Sequence, residues 1–434
     1  MIATPTITLF NNSTSYNLTS RTYGATCNTE CEPGQFGRAT ASFDFYNNDG
    51  AMTPGGGGTY SAIDWFAMAI RITAITDAGS ATCFAGIITD FELVDDGRNS
   101  YVRISAVDAF TIGGSTATTV ATGAGTYGGT VTYWINSFFN GNTSIINSVG
   151  MPKLGASSAT ASGTDVGLTS SGLATKSWSA TGRASDFVNN TIMPAGPNFA
   201  WPTNISTGAA VTYNYNAANI YPLRSSPTVA FTFAQNPGTG ELPILDLVRE
   251  FNTDDLLNDC TVTTIPIIFD ASSYTDTESN TTSQGLYGTR TISITSLMGG
   301  NVTGANSQAP GTVNTSAGTV AQRWAWTYSD VDFVTVSLSV TDSSLTGNGL
   351  TGAGSVLAYT NLLDVSTALL QIALVQYTPT GTGTEQTDTL ITVGREIQFT
   401  TSDIRVKVKF MIADRSGFVL NNNQLGVLDQ NRLG

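Results

Sequence analysis

The sequence contains no histidine. That absence removes the commonest general base, the commonest transition-metal ligand and the usual partner of a serine or cysteine nucleophile. Catalysis by two carboxylates alone survives it. Charged residues make up only 12% of the 434 positions, and 32 Asp and Glu outnumber 18 Lys and Arg, for a net charge of −14. Lysine is confined to Lys153, Lys176, Lys407 and Lys409. Binding a phosphate backbone needs clustered cations that displace counterions, so this balance argues against nucleic-acid specificity. An acidic surface repels anionic lipid, and no apolar run approaches the roughly 20 residues that span a bilayer, so a soluble chain without membrane insertion is expected. Cysteine is also scarce. Cys27, Cys31, Cys83 and Cys260 are too few to staple a chain of this length and read as reduced, buried or incidental. The opening "MIATPTITLFNNS" lacks a basic region and a long apolar core, so no secretory signal is expected, and the sequons at Asn17, Asn142, Asn204 and Asn301 carry no weight.

What the chain does have is glycine, 45 residues of it, together with abundant Ser, Thr and Asn. These residues suit turns and strands better than helices. The length exceeds what one hydrophobic core normally supports, which predicts two or more domains. Period-two alternation dominates residues 1–112. Ala41, Phe43 and Phe45 share a face opposite Ser42, Asp44 and Tyr46, and Phe66, Met68, Ile70, Ile72 and Ala74 share another. "NNDG" marks a turn and "TPGGGG" a flexible hairpin loop. In "FAGIITDFELVDDGRNSYVRISAVDAF" (84–110), Ile87, Phe91 and Leu93 oppose Asp90 and Glu92; after the "DDGRN" turn, Val102, Ile104 and Ala106 oppose Arg103 and Ser105.

Residues 113–130 are low-complexity and read as a linker or long loop. "VTYWINSFFNGN" (131–142) is the best short-helix candidate, with Val131, Trp134, Ile135, Phe138 and Phe139 at helical spacing before Gly141. Residues 150–225 are weakly periodic and predict only loops and short strands. "TVAFTFAQNPGTGE" reads as a strand and turn, and "LPILDLVREFNTDDLLNDCTVTTIPIIF" as a short helix or turn before a strand. Residues 300–325 are again Gly, Ser, Asn and Thr-rich. "VDFVTVSLSVT", "ALLQIALVQY", "TLITVGREIQFT" and "IRVKVKFMIA" then alternate as strands of a second β domain.

No constellation of reactive groups emerges. Cys27 and Cys31 in "CNTEC" have metal-like spacing but no second pair and no histidine to complete four ligands. "TPGGGGTY" lacks the Lys-Ser/Thr of a phosphate cradle. Asp95 and Asp96, Asp254 and Asp255, and Asp276 with Glu278 are carboxylates on expected turns, where Asp caps local backbone; none has calcium-loop spacing. Trp65, Trp134, Trp201 and Trp324 read as core or interface anchors. No catalytic, cofactor-binding or metal-ligating residue is assigned.

Three stretches carry a resemblance. "FGRATASFDFYNNDGAMTP", "YSAIDWFAMAIRITAI" and "FAGIITDFELVDDGRNSYVRISAVDAF" resemble in order the N-terminal part of minor tail proteins of long-tailed phages, a group related to the baseplate hub proteins of tailed phages. The matching elements are the loop Asn48 to Pro54, then Arg71 to Ala74, Phe84 to Asp90, and Ala106 to Ala109. "REFNTDDLLNDCTV" followed by the S-Q-x-x-Y-G-x-R segment of Ser283, Gln284, Tyr287, Gly288 and Arg290 is the second match. The C-terminal "GFVLNNNQLGVLDQNRLG" is the third. Beyond residue 297 the chain departs from the family pattern, giving "LMGGNVTGANSQAPG" in place of a charged helix.

The resemblance implies a mainly β, multi-domain protein with two β-barrel-like hub domains (1–115 and 236–434, the latter with a C-terminal tail) and a less regular α+β middle region (116–235) holding one short helix. It implies a non-enzymatic structural role as a homotrimer at the tail tip of the virion, made in the host cytoplasm. Expected partners are other copies of the chain, distal tail or tail tube proteins, the tape measure protein and tip or fibre proteins; no cofactor is expected. Two other readings stay open: a receptor- or carbohydrate-binding tip protein, and a carboxylate-dependent cell-wall hydrolase.

Overall fold

The computed structural model describes residues 4–11, 14–31, 35–66, 68–108, 117–122, 125–126, 156–162, 174–175, 178–183, 186, 189–190, 198–206, 210–219, 229–251, 256–266, 271–272, 275–298, 301–302, 332–339, 359–365, 372–379, 383–400 and 403–412. The chain is mainly β, and its largest element is a 14-stranded sheet. Seven of its strands come from the N-terminal part: β1 (Thr4–Asn11), β2 (Thr14–Asn17), β3 (Thr22–Glu30), β4 (Arg38–Tyr46), β5 (Ala69–Thr76), β6 (Gly79–Asp95) and β7 (Ser100–Val107). Seven come from the C-terminal part: β8 (Val229–Ala234), β9 (Leu242–Pro243), β10 (Asp246–Phe251), β11 (Asp332–Ser339), β12 (Ile372–Tyr377), β13 (Gln386–Phe399) and β14 (Ile404–Ile412). The main path runs β9-β8-β12-β13-β3-β4-β7-β6-β5-β1-β2, with β14, β11 and β10 branching from β13. Among the described residues no pairing closes this path into a barrel.

Two groups of five strands share one plan. In the first, β3 pairs β4, β4 pairs β7, β7 pairs β6 and β6 pairs β5; in the second, β10 pairs β11, β11 pairs β14, β14 pairs β13 and β13 pairs β12. Every one of these pairs is antiparallel. Both groups contain one long strand whose first part joins the preceding strand and whose second part joins the following one, with a β-bulge between. In β6 the bulge leaves Thr89 over between Ile88 and Asp90; in β13 it leaves Val393 over between Thr392 and Gly394. Counting on from each bulge, Glu92 lies opposite Arg103 and Glu396 opposite Lys407, with cross-strand ion pairs of 3.7 and 4.0 Å. The flanks differ, since β1 joins β5 antiparallel whereas β8 joins β12 parallel.

Alternation places the core as the sequence predicts. Ala41, Phe43 and Phe45 are buried in β4 while Arg38, Thr40 and Tyr46 are exposed. In β5, Ile70, Ile72 and Ala74 are fully buried, and Met68 just before the strand is buried too. Phe66, expected on that face, is instead exposed because it sits in the turn before the strand starts. The hairpin within 84–110 needs a similar correction. Val102, Ile104 and Ala106 face the core as expected, but their partners are Leu93, Phe91 and Ile88, not Ile87. The bulge at Thr89 shifts the parity, which a strict period of two does not anticipate.

One hydrophobic cluster runs through both groups, from Phe43, Phe45 and Ile104 to Ile397, Val406 and Phe410. Within it Phe43 stacks on Phe45 with centroids 5.9 Å apart and meets Phe84 edge-on at 6.4 Å. Next to Phe84, Gly86 is obligatory: a Cβ there comes within 2.4 Å of the Phe84 ring and of the Val107 carbonyl oxygen. "TPGGGG" forms consecutive hydrogen-bonded turns, not an open loop. Tyr60 N donates to Ala51 O at 2.9 Å, and a Cβ on Gly58 meets Ala51 Cα at 2.5 Å.

Further corrections concern the less periodic stretches. "LPILDLVREF", expected as a helix or turn, supplies β9 and β10, because cross-strand pairing with β11 overrides local preference. Part of 113–130, expected as a loop, forms the strand Ala117–Thr122, paired with Trp178–Arg183. The strand Asn198–Ser206, which holds Trp201, pairs Ala210–Asn219, and Ala156–Ser162 joins on the other side. "ALLQIALVQY" contributes β12 as expected. The helix expected at 131–142, the tail at 417–434, Asp254, Asp255, Trp134 and Trp324 lie outside the described residues. No helix among the described residues is long and apolar enough to cross a membrane.

Replacing Phe43 by Ala opens a cavity where the ring has no solvent exposure, and is expected to cost about 3–5 kcal/mol. Denaturant titration checks this; a loss below about 1 kcal/mol contradicts the packing described.

Candidate functional site: the joint between the two groups

The two groups meet where β13 changes partners. Along one edge β13 pairs β12 over residues 386–391 and β3 over residues 394–399, while β14 holds the opposite edge. The switch coincides with the Val393 bulge, whose carbonyl accepts from Cys31 N at 2.8 Å. From there Gly394 lies opposite Glu30 and Phe399 opposite Ala25. Continuing across β3 and β4, the row Phe399, Ala25, Phe43, Ile104 carries buried apolar side chains straight through the joint.

Arg395 sits at the centre and is 2% exposed. Its Nη1 donates to Leu362 O at 3.1 Å and Leu363 O at 2.6 Å, and its Nη2 donates to Cys83 O at 2.8 Å. The first two carbonyls belong to the helical turn at 359–363, at whose C-terminal end the carbonyl dipoles point outward and favour a cation. One planar guanidinium thus ties β13, β6 and this turn together, a task suited to its fork of fixed donors. Two further bonds hold the turn: Thr82 N donates to Asp364 Oδ2 at 3.3 Å, and the Thr76 and Thr360 hydroxyls bond each other. Burial lowers the Arg395 pKa, but arginine starts so high that the charge persists.

Cys27 and Cys83 are also buried at this joint, and burial pushes both thiols up, Cys83 to about 12. Cys260 is pushed to about 12 for the same reason. A reactive cysteine needs a lowered pKa and access; these have neither. All four cysteines are buried and no disulfide joins them, and Cys27 and Cys31 form no metal cluster with a third ligand among the described residues.

The carboxylates behave as turn and ladder residues. Gly97 N donates to Asp95 Oδ1 at 2.8 Å, while Asp96 Oδ1 accepts from Arg98 N and Asn99 N. Those backbone donors hold Asp96 below the ordinary carboxylate range. Arg103 lies between Asp44 at 3.0 Å and Glu92 at 3.7 Å, linking three strands on the outer face. Arg21 grips Asp49 with two bonds beside a cleft of about 340 Å³ lined by Ser20, Arg21, Tyr46, Asn48 and Asp49. The Arg21 guanidinium holds Asp49 well below the usual carboxylate range. Asp276 and Glu278 lie on the strand Thr275–Ser279; their side chains are outside the described residues.

Sequence reasoning passed over two buried polar residues. Asp108 Oδ2 accepts from Ala39 N at 2.8 Å, closing the end of β4 and accounting for the aspartate of the Ala106 to Ala109 element. Asn258, with no solvent exposure, donates from Nδ2 to Ser283 Oγ and Gly288 O, and its Oδ1 accepts from Arg290 N at 2.8 Å. The short helix α1 (Thr281–Tyr287), capped by Asn280, is thereby fastened to the strand Asp259–Pro266. The S-Q-x-x-Y-G-x-R segment is a fastening for this helix. Its signal was present in the order of Asn258, Ser283, Gly288 and Arg290, but not its meaning. Arg395 had no signal: inside an alternating strand an arginine normally reads as an outward residue.

Removing the central guanidinium by Arg395→Ala orphans three buried carbonyls and is expected to cost roughly 3 kcal/mol or more. Arg395→Lys is expected to recover little, since an ammonium lacks the fork. Chemical denaturation of both variants decides the point. Because burial raises the pKa of both Cys27 and Cys83, their contribution is complete below the ordinary thiol value of about 8.5 and is lost as pH climbs above it, for Cys83 toward about 12. The denaturation midpoint should therefore fall over that alkaline window, and less steeply in Cys83→Ala.

No protein-family model matches the sequence, and no curated protein matches it. Among solved structures, the fold is similar to that of the tail protein from Neisseria meningitidis MC58, with a TM-score of 0.50 and 9% identity over 94% of this chain and 96% of that chain. The 43 kDa tail protein of prophage MuSo2 from Shewanella oneidensis aligns with a TM-score of 0.49 and 9% identity, over 94% of this chain and 99% of that one. An E. coli component of the type VI secretion system, itself structurally similar to the T4 bacteriophage tail proteins gp27 and gp5, aligns with a TM-score of 0.41 and 8% identity, over 91% and 74%. At such identities the likeness is one of fold, and the Neisseria meningitidis tail protein shares that fold along nearly the whole chain.

Proposed function

We propose that this protein is a structural hub or minor tail protein of a long-tailed phage, assembling as a homotrimer at the distal end of the tail tube and joining it to tip or fibre proteins. In this reading, residues 1–115 and 236–434 are the two hub domains and 116–235 is the middle region. The chain is made in the host cytoplasm and incorporated into the tail tip of the virion. Its partners are further copies of itself, distal tail or tail tube proteins, the tape measure protein and tip or fibre proteins; it does not read nucleic-acid sequence or insert into membrane. It is not an enzyme.

The observation that carries this reading is the duplicated five-strand plan within one continuous sheet. Two like units per chain, repeated in three chains, present six around one axis, which suits a sixfold tube; such closure is what heterologous contacts give when the rotation completes a circle. The shared fold with a tail protein agrees with it. The buried arginine, neutral thiols and backbone-capping carboxylates agree too, since they serve rigidity and offer no reactive group.

The expected outcome is a three-chain particle by light scattering in solution, located at the tube end in a reconstruction of the tail. Peripheral, fibre-like placement favours a receptor- or carbohydrate-binding component instead. Hydrolysis of purified host cell wall that disappears on substituting a carboxylate pair favours the hydrolase.

A further inference from the structure

The joint inside the chain has a counterpart at its two ends that holds no ladder partner among the described residues. By the strand plan and the bulges, β6 corresponds to β13 and β10 to β3. The second part of β13 uses its outer edge to bind β3. Beyond Ile88, no described strand forms a ladder with the corresponding edge of β6, although Asn198–Ser206 approaches β6. On β10, only the edge toward β11 has a partner among the described residues.

Burial follows the same division. Ile397, inside the joint, is 0% exposed, while its counterpart Leu93 is 45% exposed. Ala25 is 5% exposed, whereas its counterpart Leu247 is only half-buried, and next to it Val248 is 43% exposed. Unpaired, partly apolar strand edges invite pairing, and natural proteins usually cover or blunt them. A covering already built once between two like units is the economical candidate for the second.

Building on the hub reading, we infer that β6 of one copy pairs antiparallel with β10 of the next, repeating between chains the β13–β3 joint within a chain. Carrying the register of that joint across puts Val94 opposite Val248 and Phe91 opposite Phe251. It also sets Glu92 opposite Glu250; Arg103, 3.7 Å from Glu92, offsets part of that repulsion. The contact is head-to-tail, so each copy uses one edge of each kind, and three copies form a ring where the rotation completes a circle.

The test is a cysteine pair. Directly opposed residues of an antiparallel ladder lie within disulfide reach, and the native cysteines are buried. The full-length double variant Val94→Cys/Val248→Cys, oxidised under native conditions, should give covalent dimers and a closed three-chain species on a non-reducing gel, while each single variant gives none. In parallel Val248→Lys, an exposed substitution, should raise the dissociation constant of the assembly about tenfold or more and leave the thermal unfolding of the separated chain unchanged. A three-chain particle without cross-linking, or a link only within one chain, overturns this pairing and leaves the hub reading standing. A monomer at all concentrations overturns both.

Discussion

The 14-stranded sheet depends on β13 exchanging one neighbour for another along a single edge. At Val393 the ladder to β12 stops and the ladder to β3 begins, so chain segments more than 350 residues apart become adjacent strands. Such long-range pairing carries a large loop-closure cost before any bond is made. The offset comes from what gathers at the switch. The buried row from Phe399 to Ile104 crosses it, and the Arg395 guanidinium satisfies three carbonyls on two other elements. A hydrophobic side chain at 395 supplies packing but no donors, and the end of the 359–363 turn is then buried unsatisfied.

The polar residues work to the same end. Asn258 bonds Arg290 N, Gly288 O and the Ser283 hydroxyl, and Asp108 bonds Ala39 N, which makes the positions around them geometrically unique. The outer-face ions are arranged as cross-strand ladders, Asp44 with Arg103 and Glu92, and Glu396 with Lys407. Exposed pairs of this kind add little stability, but like charges in those places impose a penalty, so they help to define register.

Much of the secondary structure was legible. The alternation in β4, β5 and β7 places buried residues correctly because a sheet with one covered face writes its burial into every second position. The failures have identifiable causes. Strict alternation places Ile87 on the wrong face because a bulge adds one residue without any compositional mark. β10 reads from the sequence as a helix or turn because an exposed edge strand has no buried alternation to display. The expected second β region was correct in its strands, yet its equivalence to the first lies in pairing order and bulge position, neither of which is a property of adjacent residues.

By itself the sequence determined the fold class, the polar turns, the scarcity of reactive chemistry and the apolar face of most strands, because these follow from composition and from periodicity over a few residues. Only the tertiary structure decided that the two strand groups share one plan, that β13 joins them through β3, that Arg395 turns inward, and that the edges of β6 and β10 stay without a ladder partner among the described residues. Each of these depends on which distant strand lies alongside, and a hydrogen-bonded edge leaves no local trace in the residues that form it.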